Sequence, residues 1–209
     1  MARPLRIVLL AIVAFAVGLL LARVLGPSKS VVTTERATVF DVPRSLPPLA
    51  LVGLDGQPLA PQFLEGHWTL VFFGFTTCPD ICPTTLATLT QFTKQLVDLP
   101  SAQRPRVLLI TVDPERDDSA RLSAYVRFFD PAFLGATGDV EGVGKAAAAF
   151  GVPFAKVSLP DGGYTMDHGS GLFIVDPSGS IAAYSSAPHD ATVLARDYRK
   201  VVAYAETRQ

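Results

Sequence analysis

The stretch Phe72-Phe73-Gly74-Phe75-Thr76-Thr77-Cys78-Pro79-Asp80-Ile81-Cys82-Pro83 constrains this chain more than any other, because it brings both of its cysteines to the end of an apolar run. From Thr69 to Phe75 the run has strand length and no polar alternation, as a strand covered on both faces requires. Beyond the cysteines, Leu86, Leu89, Phe92 and Leu96 recur at helical spacing, and Pro83 suits a first turn, where an amide has no intrahelical partner. The local plan is therefore a buried strand that enters a helix through a loop holding two thiols. Such a pair can close a disulfide, exchange disulfides with a partner or hold a soft metal.

The rest of the chain predicts the sheet around that strand. Val107 to Val112 is a second buried strand, and Asp118 or Ser119 can cap a helix presenting Leu122, Tyr125, Val126 and Phe129. Asp139 caps a third helix that ends at Phe150-Gly151. Phe154 to Leu159, Gly171 to Val175 and Ile181 to Ser185 read as short strands, with turns at Asp161-Gly162-Gly163 and Pro177-Ser178-Gly179. Leu194, Tyr198, Val201, Val202 and Ala205 line a closing helix that starts near Asp190, and Leu49 to Leu59 reads as a small hairpin turning at Asp55-Gly56. Early helical crossovers and a late hairpin give an α/β chain with a mixed sheet flanked by helices.

With 49% hydrophobic residues and a mean hydropathy of +0.33, the chain is apolar for a soluble protein, and its first residues explain why. Ile7 to Ala22 carries no charge, with Arg3, Arg6 and Arg23 around it. At about 1.5 Å per residue the run covers roughly 24 Å, enough for a transmembrane helix when Val24, Leu25 and snorkelling arginines contribute. Residues 1–25 are therefore expected to be a membrane anchor, with a cleaved signal peptide as the alternative. Residues 26–47, rich in Ser, Thr, Pro and charge, are expected to be a flexible tether, and 48–209 the folded domain. Arginine asymmetry puts the N-terminus in the cytoplasm and the domain outside it, in a single-pass, bacterial inner-membrane arrangement. A net charge of -1 without a basic cluster excludes a nucleic-acid footprint.

Within the cysteine loop, Pro79 and Pro83 fix two backbone angles, and Asp80 is expected to raise the thiol pKa if its carboxylate comes close. Two thiolates do not complete a metal site, so a third donor is sought among three histidines. His67 and His189 each sit in a turn and read as solvated turn residues. His168 stands in Asp167-His168-Gly169-Ser170-Gly171, a glycine-rich loop before a strand, and is either a ligand or a satisfied loop histidine. Cys78, Cys82 and His168 together are too few for a closed zinc site and suit copper better. Met166 is a candidate axial ligand or a core filler, and Asp113 or Asp167 a candidate acceptor for the imidazole or a turn residue.

The cysteine stretch, then Thr111-Val112-Asp113-Pro114-Glu115-Arg116-Asp117, then Asp167-His168 ahead of a strand ending Asp176-Pro177, resembles the Sco/SenC proteins over about Leu49 to Tyr204. The resemblance implies a thioredoxin-like, membrane-anchored copper chaperone whose Cys78, Cys82 and His168 bind one copper ion, Cu(I) or Cu(II), for the CuA-bearing subunit of cytochrome c oxidase. It also implies a reductase role toward that subunit's cysteines, with Cys78 and Cys82 as the redox pair, and partners such as an upstream copper donor and a thioredoxin-like reductant. Two departures stand out. Gly169-Ser170-Gly171 replaces bulkier residues and is expected to loosen the histidine loop, and Asp118 replaces a threonine at a helix cap.

Overall fold

The computed structural model describes residues 12, 14–18, 32–160 and 162–208, and the chain divides into two units, 1–31 and 32–209. In the first unit, residues 12 and 14–18 are helical and exposed. The remainder of the expected anchor over 1–25, and residues 26–31 of the expected tether, lie outside the described residues. Among the described residues no helix is long and apolar enough to cross a membrane.

The second unit runs β1 (Ala37–Ser45), β2 (Val52–Gly53), β3 (Thr69–Gly74), α1 (Ile81–Lys94), β4 (Arg106–Thr111), α2 (Ser119–Phe129) and β5 (Leu134–Thr137). It continues with α3 (Val140–Phe150), β6 (Phe154–Ser158), β7 (Tyr164–His168), β8 (Leu172–Val175), β9 (Ser180–Ser185) and α4 (Ala191–Glu206). One sheet has the order β1-β9-β8-β3-β4-β5-β2, while β6 and β7 form a separate antiparallel pair. β3, β4 and β5 are parallel, joined through α1 and α2, and β8 runs antiparallel to β3.

Successive side chains of a strand point to opposite faces, and β3 divides accordingly. Leu70 and Phe72 join the core that holds Leu86, Leu89 and Phe92 of α1 and Leu194 and Tyr198 of α4. Val71 and Phe73, with Phe75 just beyond, join the other core with Val143, Ala147 and Phe150 of α3. Both faces are buried, which is why the sequence run lacks polar alternation. Each such side chain contributes about 1.5–3 kcal/mol on burial.

Three strands went unread in the sequence. β1 lies within the stretch assigned to the tether, and the folded unit begins at Val32 rather than near Pro48. Its alternation is hidden because it is an edge strand that buries little besides Ala37. What holds its start is a side chain far along the chain: buried Asp197 accepts the amides of Glu35, Arg36 and Ala37 at 2.8, 2.8 and 2.9 Å. β5 is short and carries Gly135, where a β-carbon would meet Leu54 at 2.7 Å and Leu122 at 2.9 Å. Close backbone approach, rather than strand propensity, selects that sequence. β7 places His168 at the end of a strand, not in a loop as expected. The Asp55-Gly56 turn forms with Gly56 at φ 76°, and the expected hairpin closes around it, with Val52 bridged to Pro58, the Gly53 amide donating to the Gln57 carbonyl at 2.9 Å and the Leu59 amide to the Leu51 carbonyl at 2.8 Å; only Val52–Gly53 is regular strand, and it also pairs with β5.

Candidate metal centre

Sheet register brings the distant parts of the site together. Phe72 of β3 lies opposite Leu172 of β8 in an antiparallel pair, so residues leading into β8 arrive where the cysteine loop leaves β3. The loop itself is pinned by Asp117. This buried carboxylate accepts from the Thr76 amide at 2.9 Å, the Thr76 hydroxyl at 2.5 Å and the Thr111 hydroxyl at 2.7 Å. Arg121 of α2 donates its Nε–H to Thr76 Oγ1 at 2.9 Å and secures the loop from outside.

Cys82 is 1% exposed in the first turn of α1, and Cys78 is half-buried before it. Gly74 makes room for the inner sulfur, since a β-carbon there would stand 2.9 Å from Cys82 Sγ. Asp80 occupies the N-cap position of α1 without making a cap bond. Instead the Cys82 amide donates to Cys78 Sγ at 3.4 Å, so a sulfur takes the role usual for an oxygen at a helix start. The Cys78 thiol is lowered to about 5 by the hydrogen bond from the Cys82 side chain, against its own burial, with help from the Cys82 and Asp80 amides. Cys82 is driven up by that same hydrogen bond, by burial and by the negative charges of Cys78 and Asp117. The pair therefore holds one thiolate, at Cys78, and one thiol. Asp80 lowers Cys78 through its backbone amide, and the rise expected of a close carboxylate is not what acts on this thiol.

His168 Nε2 lies 3.7 Å from Cys82 Sγ, and its ring stands edge-on to Phe75 at 5.7 Å between centroids. Nδ1 lies 3.0 Å from the Gly169 carbonyl, which can only accept, so Nδ1 carries the proton and Nε2 turns its lone pair toward the sulfurs. One donor atom from each of Cys78, Cys82 and His168 falls within 4.8 Å of the others. Two donors sharing one ion at bond lengths of about 2.0–2.3 Å can be no more than about 4.6 Å apart, so the set is close to closing on a metal.

The hairpin that carries His168 is fastened to the loop after β4. Arg116 donates to the Tyr164 carbonyl at 3.0 Å and stacks 3.8 Å from that tyrosine's ring centroid, while the Tyr164 hydroxyl donates to Asp113 at 3.0 Å. Lys156 pairs with Glu115 and sits 4.2 Å over the same ring. Arg116, Tyr164 and Lys156 were missed in the sequence, although the alternating pattern of 164–168 was there to signal a strand.

The other candidates resolve as follows. Asp113 pairs with Arg116 and Tyr164 rather than the imidazole and serves the turn alternative, its carbonyl accepting the Arg116 and Asp117 amides, and Asp167 is exposed; the Gly169 carbonyl meets the imidazole instead. Met166, 9% exposed, lines a space with Val112, Val143 and Phe154 and fills the core. His67 is exposed, near its neighbour's carbonyl, as expected. His189 is not a solvated turn residue: half-buried, it meets the Ser170 carbonyl at 2.8 Å.

The SCO1/SenC family profile matches residues 42–203. The mitochondrial SCO2 homologue of Mus musculus is 36% identical over 155 residues, which cover 74% of this chain and 61% of the mouse protein. The copper-bound crystal structure of Arabidopsis thaliana ScoI superposes with a TM-score of 0.70 at 30% identity, over 78% of this chain and 98% of that one. Copper-bound Bradyrhizobium japonicum ScoI gives 0.66 at 31% identity, over 75% and 99%. The mixed sheet flanked by helices is the fold of these proteins.

Proposed function

The chain belongs to the SCO1/SenC family, and from that premise we propose that it is a membrane-anchored copper chaperone, binding one copper ion through Cys78, Cys82 and His168 and passing it to the CuA-bearing subunit of cytochrome c oxidase. The observation that carries this reading is the convergence of two sulfurs and one imidazole nitrogen within 4.8 Å. Soft thiolates with an imidazole, and no fourth His, Cys or carboxylate in that group among the described residues, suit copper over a closed zinc site. Cys78 meets the ion as a thiolate already, Cys82 releases one proton as it ligates, and His168 offers a lone pair whose direction is set by Gly169. Half-burial of Cys78 leaves one sulfur accessible to a recipient's ligands. The anchor, with the N-terminus in the cytoplasm of a bacterial inner membrane and the domain on the other side, is part of the same proposal and rests on the apolar run of residues 7–22.

The test is copper titration of the reduced full chain beside its His168→Ala variant, followed by thiolate-to-copper charge-transfer absorption. One equivalent bound by the parent, with weakened and spectrally altered binding by the variant, is expected; identical binding by both removes His168 from the set.

A second reading, a thiol:disulfide oxidoreductase acting on the cysteines of the CuA-bearing subunit, is favoured by the unequal thiols. The Cys78 thiolate attacks a partner disulfide, releasing one partner thiolate, and Cys82 then displaces the second as it loses its proton and closes the pair. Reduction of a model disulfide that persists in His168→Ala and vanishes in Cys78→Ser marks this activity.

A further inference from the structure

Two glycines flank Ser170, so the peptide after His168 has little local reason to hold one conformation. Yet the Gly169 carbonyl within it decides which imidazole nitrogen carries the proton. Something outside the loop must hold that peptide. On one side the Gly169 amide donates to the Pro153 carbonyl at 3.2 Å. On the other, His189, from the connection between β9 and α4, lies with Nε2 2.8 Å from the Ser170 carbonyl, the group next to the one His168 uses. That carbonyl can only accept, so Nε2 of His189 carries a proton. Its Nδ1 is buried with no partner among the described residues, which suits a bare lone pair and disfavours a second proton. Burial, with Arg36 nearby, lowers the pKa of this ring and keeps it in that neutral form. The Tyr184 ring completes the brace, standing where a side chain at position 171 would be, 2.1 Å from the β-carbon position.

We propose that His189 is a positioning residue of the metal centre, whose Nε2–H holds the Ser170 carbonyl and thereby the peptide that sets the tautomer and aim of His168. The expected loosening by Gly169 and Gly171 is thus offset from outside the loop. This inference rests on the assignment of His168 as a ligand, but its primary readout does not need copper.

In the reduced, metal-free full chain in detergent micelles, long-range proton–nitrogen NMR of the imidazoles is expected to show His168 as the Nδ1–H tautomer. In His189→Ala that signal is expected to give way to a mixture with Nε2–H, and in His189→Gln, whose amide can still donate, to be largely restored. Copper affinity is expected to fall about tenfold in His189→Ala, the lower end of what loss of an outer-sphere partner causes, and to recover in His189→Gln. Far-ultraviolet circular dichroism and melting of both variants confirm that they are folded. An unchanged His168 tautomer in folded His189→Ala overturns the proposal. Failure of the parent to bind copper, with the tautomer shift still present, overturns the chaperone reading and leaves the positioning role standing.

Discussion

Helices α2, α3 and α4 each start on an aspartate whose carboxylate accepts from a backbone amide of the helix, whereas α1 starts on an aspartate that makes no such cap bond. Asp118 accepts from the Arg121 amide at 2.7 Å, Asp139 from Gly142 at 2.6 Å, and Asp190 from both Thr192 and Val193 at 2.9 Å. Asp80, at the equivalent place on α1, leaves the cap to the sulfur of Cys78. In three places the free amides of a helix start are satisfied to hold the fold together, and in the fourth they stabilise a thiolate. One physical device serves stability or reactivity according to which atom sits beside it.

The comparison breaks most sharply at Cys78. In Cys78→Ser the hydroxyl can take over the cap, so stability measured by urea unfolding near pH 5, where the thiolate no longer contributes, is expected to stay within about 0.5 kcal/mol of the parent. Copper affinity, measured by competition with a chromophoric chelator, is expected to fall by more than about a hundredfold, beyond the range seen for outer-sphere losses. An equal loss in both would show that sulfur and cap cannot be separated.

The converse holds at the other helices. Asp190→Ala is expected to lower unfolding stability by about 1–2 kcal/mol and Asp139→Ala by about 1 kcal/mol, both without change in copper affinity. Asp190 is set higher because it satisfies two amides rather than one. A copper defect in either variant would place those caps in the site after all.

The pH dependence of the apo, reduced protein sharpens the same contrast. Cys78 is lowered from 9.0 to about 5, so its contribution to stability is complete above pH 9 and is lost as pH falls toward 5. Cys82 is raised, so above pH 9 the unfolded chain gives up a proton that the folded one keeps, and stability declines again there. Unfolding free energy is expected to rise from pH 5 to 9, and this rise to disappear in Cys78→Ser. Alkylation by iodoacetamide is expected to modify Cys78 first, with a midpoint near pH 5.

The smallest effect is expected at Asp80→Ala. Among the described residues its carboxylate reaches only Thr84 Oγ1, at 3.4 Å, and its influence on Cys78 runs through the backbone amide, which alanine retains. Stability is expected to change by less than about 0.5 kcal/mol and the alkylation midpoint to stay where it is. A midpoint that moves by a full pH unit would assign the carboxylate a role that the geometry does not support.

Much of this arrangement is legible in short stretches of the chain. The uniform apolar runs at β3 and β4, the aspartates before α2, α3 and α4, and the glycine after α3 are local signals with local causes. Cys78 and Cys82 are legible for the same reason, four positions apart at the mouth of a helix. His168 is legible only as one of three histidines, singled out by its loop-like surroundings and by the resemblance of its motif. The places where reading fails share a non-local cause. β1 is held by Asp197 some 160 positions away, β5 is shaped by Leu54 and Leu122, and the hairpin carrying His168 is tied down by Arg116.

The sequence by itself determined the alternation of the two cores, the helix starts and the presence of a stiff dithiol loop, because these depend on the periods of strand and helix and on proline and aspartate acting over a few residues. Only the tertiary structure decided that an imidazole 86 positions from Cys82 faces its sulfur, that one thiol keeps a charge while the other keeps a proton, and that a second histidine, His189, meets the segment following that imidazole. Those outcomes follow from antiparallel register between β3 and β8 and from burial, and neither is carried by any single segment.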